Sequence, residues 1–172
     1  MEIKYIATII ILISLAFFMS CKEGQPPLKA IDSLDIQKFM GDWYVVGVIP
    51  NFIEKGATNG LESYRLDENG NVRITYTLQK NGKQKKMNAK GFIQNDKNTI
   101  WKVQFFWPVK FPYYVIDLDE NYQYTVIGVP NRKYVWIMSR DPNIPQETYA
   151  SILDRLEQKG YERSKIKKME HN

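Results

Sequence analysis

The sequence predicts an all-β fold, an eight-stranded antiparallel up-and-down β-barrel with one C-terminal α-helix packed on its outside. From Phe39 onward, short apolar or alternating runs are separated by turn residues at near-regular spacing. Most connections have hairpin length, which favours sequential antiparallel pairing. Near the C-terminus the apolar period changes from that of a strand to that of a helix. Eight strands in a meander can close into a barrel without free edges, wide enough to hold one small ligand.

Turn signals separate the eight candidate strands. In the clearest of them, positions 72, 74, 76 and 78 are apolar and alternate with polar residues, and the hairpin dipeptide Asn81-Gly82 follows. Alternation with a period of two is typical of a strand with one buried face. The strands are predicted at residues 43–49, 61–66, 72–79, 87–93, 101–107, 111–118, 122–129 and 134–140.

A helix is predicted after the last strand. Pro145 stands at its start, and Gly160 is a suitable C-terminal cap. The apolar stripe between them predicts that the helix packs against the barrel. The basic segment 161–169 is predicted to add a short final strand. The residues of the stripe are Tyr149, Ile152, Leu153 and Leu156.

Residues 1–20 have the pattern of a secretory signal. An uncharged run over residues 5–18 follows Lys4, and it is too short for a comfortable membrane span. Ser20-Cys21 closes it, and a small residue directly before a cysteine resembles a lipobox, whose cysteine is acylated and becomes the mature N-terminus. We predict a lipoprotein signal peptide (1–20), a tether that starts at the lipid attachment site Cys21 (21–33) and a barrel domain (34–172). An ordinary signal peptide or an uncleaved anchor helix is the alternative.

The residue counts exclude several function classes. Cys21 is the only cysteine and His171 the only histidine. These absences argue against Ser-His-Asp, Cys-His and histidine-rich zinc chemistry. The formal charge of +5 comes with neither a basic helical stripe nor a nucleic-acid motif. We therefore expect no catalytic centre, no metal, no cofactor and no nucleic-acid partner.

Two sequence blocks carry a resemblance to a known family. Gly41-Asp42-Trp43 looks like the Gly-x-Trp signature of a first barrel strand, and residues 134–140 look like the last signature, which ends in an arginine, here Arg140. Residues 119–122 partly resemble the middle signature. The chain thus resembles the lipocalins, and among them the bacterial outer-membrane lipoproteins related to apolipoprotein D.

The resemblance implies a structural closed end of the barrel. Trp43 would plug it, and Arg140 would lie across Trp43, donate hydrogen bonds to nearby carbonyls and make a cation–π contact. Gly41 would leave space where the chain enters the first strand.

Strand parity supplies candidate residues for a ligand cavity. If Trp43 points inward, Val45 and Gly47 point inward as well. In the sixth strand, alternation alone cannot decide which of two sets faces the interior: Tyr113, Val115 and Asp117, or Tyr114, Ile116 and Leu118. Tyr124 is a further candidate, and Trp101 belongs to an apolar face of the fifth strand. The predicted ligand-binding residues are Tyr76, Val103, Phe105, Trp107, Tyr113, Tyr134, Trp136 and Met138.

An apolar cavity in a membrane-tethered protein suits a fatty acid or a lysophospholipid. The resemblance implies binding, storage or transport of such a lipid, without a reaction, by a lipid-anchored protein of the bacterial outer membrane. We expect a monomer or weak homodimer. An enzyme or a haem-binding protein on the same scaffold is the alternative, with tyrosinate as the conceivable haem ligand. An interaction module that uses the barrel exterior is a third possibility.

Overall fold

The computed structural model describes residues 25–172, and within them it is a barrel of consecutive antiparallel strands followed by a helix. A short helix α1 (Ile36–Phe39) leads into β1. After the strands come helix α2 (Gln146–Gln158) and a 3₁₀ turn (Arg163–Lys165). The strands are β1 (Gly41–Val48), β2 (Ala57–Leu66), β3 (Val72–Lys80), β4 (Lys83–Ile93), β5 (Ile100–Phe106), β6 (Val109–Leu118), β7 (Tyr124–Gly128), β8 (Val135–Ser139) and β9 (Lys167–Lys168).

The first strand closes the barrel. Strands β2 to β8 pair in sequence order, and β1 pairs with both β8 and β2, always antiparallel. The short strand β9 adds to β1 opposite Gly47 and Val48. The predicted all-β barrel, its external helix and the short final strand are therefore confirmed.

Two strands begin four residues earlier than predicted. Strand β4 starts directly after a tight hairpin in which Asn81 and Gly82 both have positive φ, 53° and 69°. Its first residues, 83–86, are charged or polar and exposed, so they carry no apolar signal although their backbone pairs with β3. Strand β2 likewise extends back to Ala57.

The apolar residues form two separate layers. One fills the barrel interior and includes Trp43 and Tyr64. The other lies between the barrel wall and α2, where Ile152 and Leu156 pack on the outward face of the strands. Gly160, with φ of +86°, follows the helix as predicted. Burying this stripe holds α2 on the outside of the barrel.

A bulge in β1 reverses the expected direction of Gly47. Val45 packs in the barrel interior, but the register with β8 shifts between Val45 and Gly47. A Cβ added to Gly47 would lie 2.6 Å from the Tyr149 hydroxyl of α2, so this position faces outward. The prediction that Gly47 faces inward is wrong, because an extra residue in a bulge breaks the alternation.

A second bulge settles the open parity of β6. Tyr113 and Val115 point into the barrel, and the register with β7 then shifts between Val115 and Asp117. Ile116 and Asp117 face outward, and Leu118 returns to the inner cluster. Neither alternating set therefore describes the whole strand.

Tyr124, a further cavity candidate, lies on the outer side of the barrel. It packs in the layer under α2, and its hydroxyl accepts a hydrogen bond from Arg155 Nη2 at 3.2 Å. Arg155 also donates from Nε to Asp117 Oδ2 at 2.7 Å. These contacts fix α2 to β6 and β7 and place Tyr124 away from the interior.

Much of the predicted tether packs on the barrel. Leu28 is buried in the layer under α2, the Ile31 amide donates to Val115 O at 2.9 Å, and Arg132 Nη2 donates to Pro26 O at 2.6 Å. Residues 25–33 of the predicted tether thus contact the barrel, with Leu28 buried and Ile31 half-buried, and the boundary between tether and domain stays a prediction. The predicted signal peptide and Cys21 lie outside the described residues. Within residues 25–172, no helix has the length and apolar character needed to cross a membrane.

Candidate ligand-binding cavity

One end of the barrel is filled by packed aromatic rings. Trp43, Tyr64 and Trp101 are fully buried there, and the ring of Phe39 from α1 covers all three at centroid distances of 5.3–5.6 Å. The Trp43 indole nitrogen donates to Phe39 O at 2.8 Å. Because α1 caps this end, the interior can open only toward the opposite end.

Arg140 lies across the outer side of this plug. Its guanidinium carbon is 3.7 Å from the centroid of the Trp43 ring, and its nitrogens donate to the carbonyls of Lys38, Met40 and Asp42 at 2.7–2.9 Å. Gly41 adopts φ of +99°, and a Cβ there would stand 3.2 Å from Arg140 Nη1. A larger residue at Gly41 would therefore be strained and would crowd the guanidinium.

The interior above the plug holds a cavity of about 660 Å³. A volume of that size falls within the range of small-molecule sites, about 300–1,000 Å³. Its wall comes from β2 to β6 and β8, from the loop between β1 and β2, and from the connection between β7 and β8. Six of the eight predicted ligand-binding residues line it: Tyr76, Val103, Phe105, Tyr113, Tyr134 and Trp136.

The other two predicted residues do not line the cavity. Met138 is fully buried below it, where its sulfur lies 3.8 Å from the Tyr64 hydroxyl. Trp107 is 85% exposed, because β5 ends at Phe106 and the alternation that placed Trp107 inside stops there. Met138 points into the barrel, as the alternation along β8 predicts, but it packs among the aromatic rings of the closed end and not beside the cavity.

Two buried carboxyl groups, Glu54 and Glu62, also line the cavity, and sequence reasoning missed both. Glu54 is 3% exposed and Glu62 is 7% exposed. Glu62 lies on β2, opposite Trp43 of β1 and Tyr76 of β3. Its Oε2 accepts a hydrogen bond from the Tyr64 hydroxyl, which also bonds the hydroxyl of Tyr113.

Glu54 enters the cavity from the loop between β1 and β2. Its Oε1 accepts hydrogen bonds from Trp136 Nε1 and, at 3.4 Å, from the Tyr76 hydroxyl. Its Oε2 accepts from the Asn51 amide at 3.2 Å. Lys80 Nζ donates to the carbonyls of Phe52 and Ile53 at 2.8 and 3.1 Å, which holds this loop against the end of β3.

Burial has the largest effect on the pKa values of Glu54 and Glu62. It raises the pKa of Glu62 to about 7, against the lowering effect of the Tyr64 hydrogen bond. Burial also raises the pKa of Glu54, although hydrogen bonds from Trp136, Asn51 and Tyr76 oppose the shift. Both carboxyl groups are therefore harder to ionise than ordinary glutamates.

The sequence pattern could have indicated the inward direction of only one of the two glutamates. Glu62 is two residues before Tyr64 on a strand, so alternation places them on one face, and pairing with inward-facing Trp43 makes that face the interior. Glu54 lies in an irregular loop, where no periodicity indicates direction.

The mouth of the cavity is apolar. Phe106 and Phe111 line the cavity and are nevertheless solvent-exposed, as is Phe52 of the β1–β2 loop. Trp107 extends this exposed apolar surface at the β5–β6 turn. None of the described residues that line the cavity is a lysine, arginine or histidine. The arrangement can hold an apolar molecule with a polar group, and it offers carboxyl oxygens to that group.

Comparison with known proteins places the chain in a family. Residues 34–171 match the model of a lipocalin-like domain. Temperature-induced lipocalin-1 of Arabidopsis thaliana is 28% identical over 82% of this chain and 81% of its own length. Outer membrane lipoprotein Blc of Vibrio cholerae is 26% identical over 83% of this chain and 86% of its own. Apolipoprotein D of Bos taurus is 30% identical over 94% of this chain and 93% of its own.

The fold is also found in solved structures. Insecticyanin from the tobacco hornworm Manduca sexta matches with a TM-score of 0.68 at 17% identity, over 87% of each chain. This likeness concerns the barrel architecture. The domain match over residues 34–171 and the 30% identity to apolipoprotein D show that the chain belongs to the lipocalin family, whose members bind small hydrophobic ligands and are generally not enzymes.

Proposed function

We propose that this protein binds, stores or carries a fatty acid or a lysophospholipid in its barrel cavity, at the bacterial cell envelope. The observation that carries the proposal is the 660 Å³ cavity, closed at one end by the Trp43 plug and walled mainly by apolar side chains. A single alkyl chain suits such a site, because each Å² of apolar surface removed from water contributes about 25 cal/mol.

The apolar mouth supports the same proposal. Exposed Phe106, Phe111 and Trp107 give a lipid tail a continuous apolar path from the outside to the interior wall. An exposed apolar patch of this kind is typical of a ligand or membrane contact. The protein would need no reaction to perform this function.

The envelope location rests on the N-terminal sequence and on one relative. The uncharged run that ends in Ser20-Cys21 fits acylation at Cys21, with palmitate among the fatty acids to be expected, and the Vibrio cholerae relative is named an outer membrane lipoprotein. Acylation with more than one chain would be sufficient for stable anchoring. We therefore propose that the barrel is lipid-anchored at the outer membrane.

A titration tests the lipid-binding proposal. Delipidated protein is titrated with a fluorescent long-chain fatty acid and, in competition, with a lysophospholipid, while mass spectrometry identifies lipids extracted from the protein purified from its own membrane. We expect saturable binding of one chain per barrel and a co-purifying single-chain lipid. A folded protein that binds neither compound would contradict the proposal.

The cavity tyrosines do not favour the haem-binding alternative. A haem-ligating tyrosine acts as tyrosinate. Burial raises the pKa values of Tyr76 and Tyr113 above that of an ordinary tyrosine, and the nearby Glu62 raises them further when it is ionised. Forming a tyrosinate at either position therefore costs more than at an exposed tyrosine.

A further inference from the structure

The charged groups in the cavity have one sign. Glu54 and Glu62 contribute two carboxyl groups to its lining, and no described lining residue carries a positive charge. The chain as a whole has a net charge of +5, so the charged residues of the cavity lining have the opposite sign to the net charge of the protein. A carboxylate ligand would find no cationic partner on this wall, whereas a cationic ligand would find two acidic ones.

Glu62 is arranged to accept one more hydrogen bond. Its Oε2 is bonded by the Tyr64 hydroxyl, while Oε1 accepts no hydrogen bond from any residue between 25 and 172. The carboxyl group sits on the cavity wall near the plug, in a position fixed by the pairing of β2 with β1 and β3. Among the described residues, the Tyr161 hydroxyl is the buried side-chain polar atom without a hydrogen-bond partner, so Glu62 Oε1 is accessible from the cavity and can accept from a bound molecule.

Glu54 approaches the same region from the loop. It bonds Tyr76, which is paired with Glu62 across β2 and β3, so the two carboxyl groups flank one tyrosine. Trp136 also holds Glu54, and the rings of Trp136 and Tyr134 lie 6.2 Å apart on the same wall. Carboxyl oxygens are strong acceptors for an ammonium group, and aromatic rings on the same wall can attract it as well.

We propose that Glu54 and Glu62 form a subsite for the protonated amine of a single-chain amphiphile, whose alkyl chain extends toward the apolar mouth. This inference rests on the proposed function and narrows it, because it makes the cavity prefer an ammonium over a carboxylate at equal chain length. The amine can belong to a free long-chain amine or to the amino head group of a lysophospholipid.

The preference follows from the low polarity of the site. An ammonium bound there donates a charge-assisted hydrogen bond to a carboxylate that is already desolvated, and the pairing lowers the cost of burying both charges. A carboxylate in the same place would face two acidic groups and would be repelled by either one that is ionised. A neutral alcohol can donate a hydrogen bond without bringing charge, so its affinity should lie between those of the other two.

Matched ligands and variants test this subsite. The purified, delipidated full-length chain is titrated at pH 8 with dodecylamine, dodecanol and dodecanoate, using displacement of a fluorescent fatty-acid probe. The same titrations are made on Glu62→Gln, Glu54→Gln and the control Glu68→Gln, whose side chain lies in the exposed β2–β3 turn. Circular dichroism verifies that each variant is folded.

We expect dodecylamine to bind at least about tenfold more tightly than dodecanoate, and Glu62→Gln to reduce that ratio by about tenfold. Glu54→Gln should reduce it in the same direction, and Glu68→Gln should leave it unchanged. Equal affinities of amine and carboxylate, or a ratio that neither cavity variant changes, would overturn the subsite while leaving lipid binding intact. Failure of all three compounds and of the probe to bind would instead overturn the proposed function, and the subsite with it.

A second pair of ligands identifies the source of the amine. Lysophosphatidylethanolamine is compared with its N-acetyl derivative, which keeps the chain and phosphate but lacks the ammonium. A loss of affinity on acetylation that Glu62→Gln abolishes would assign the subsite to a lipid head group. If acetylation has no effect while dodecylamine keeps its Glu62-dependent preference, the subsite takes a free long-chain amine.

Discussion

The Arg140 guanidinium lies over the ring of Trp43, with its carbon 3.7 Å from the ring centroid, and the same group donates to four carbonyls of the segment 38–42. One arginine, directly after β8, thereby connects the start of β1, the end of α1 and the ring of Trp43. Arginine suits this position because its planar group can stack and donate several hydrogen bonds at once. The arrangement seals one end of the barrel, so a ligand can enter only at the other.

We expect Trp43→Ala to lower the free energy of unfolding by about 3–5 kcal/mol. Trp43 is fully buried, and its removal would leave a cavity beneath Arg140 and would remove one of the two side-chain hydrogen bonds to Phe39 O. Chemical denaturation measures the change. Trp107→Ala is the matched control, because Trp107 is exposed and its loss should change stability by about 0.5 kcal/mol at most. Equal stability of the Trp43 variant and the wild type would contradict the plug.

Replacement of Trp136 should weaken lipid binding without unfolding the protein. Trp136 lines the cavity and donates its indole N–H to Glu54 Oε1, so Trp136→Ala removes both apolar wall and a hydrogen bond. Trp136→Phe keeps most of the apolar surface and removes only the donor. We expect the alanine variant to lose more affinity for a fluorescent fatty acid than the phenylalanine variant. Affinities equal to that of the wild type in both would remove Trp136 from the site.

The stability of the protein should depend on pH through Glu62. Its pKa is raised from 4.5 to about 7 by burial, so between these values the folded protein holds a proton that the unfolded chain has released. The contribution of Glu62 therefore lowers the free energy of unfolding by about 3 kcal/mol as the pH rises from 4.5 to 7. The groups that face Glu62 are Tyr64, Tyr76 and Tyr113, whose pKa values are raised so that they stay neutral, and Glu54, whose raised pKa adds an effect of the same sign.

Glu62→Gln isolates this contribution. The variant should be more stable than the wild type at pH 8, and the difference should shrink on acidification and vanish near pH 4, where the carboxyl is protonated in both states. Urea denaturation at several pH values measures it. A difference that is the same at pH 8 and pH 4 would show that Glu62 does not titrate as described, and Glu68→Gln should show no difference at either pH.

Cys21→Ala tests the predicted anchor. If Cys21 is the acylated residue, the variant should leave the membrane fraction or accumulate as an unprocessed precursor, and the mature protein should lose the mass of its acyl chains. Fractionation and intact-mass spectrometry follow both effects. A variant that lacks the lipid mass but still fractionates with the membrane would show that something other than the acyl chains holds the protein there.

Local sequence patterns determined the barrel itself. Period-two alternation, the Asn81-Gly82 hairpin and the stripe that includes Ile152 and Leu156 each act over a few residues, so they can be read without the tertiary structure. Together these patterns were sufficient to predict the strand order, the external helix and most of the apolar side chains named for the cavity wall, including Trp136.

Only the tertiary structure decided the direction of Gly47, the parity of β6 and the inward position of Glu54. The bulges after Val45 and Val115 depend on how neighbouring strands twist and pair, and one extra residue inverts every position beyond it. Glu54 is brought inside by a loop that Lys80 and Asn51 hold in place, through contacts that local periodicity does not encode. A buried carboxyl is stable only where specific donors and the surrounding wall meet it, and those partners come together when the barrel closes.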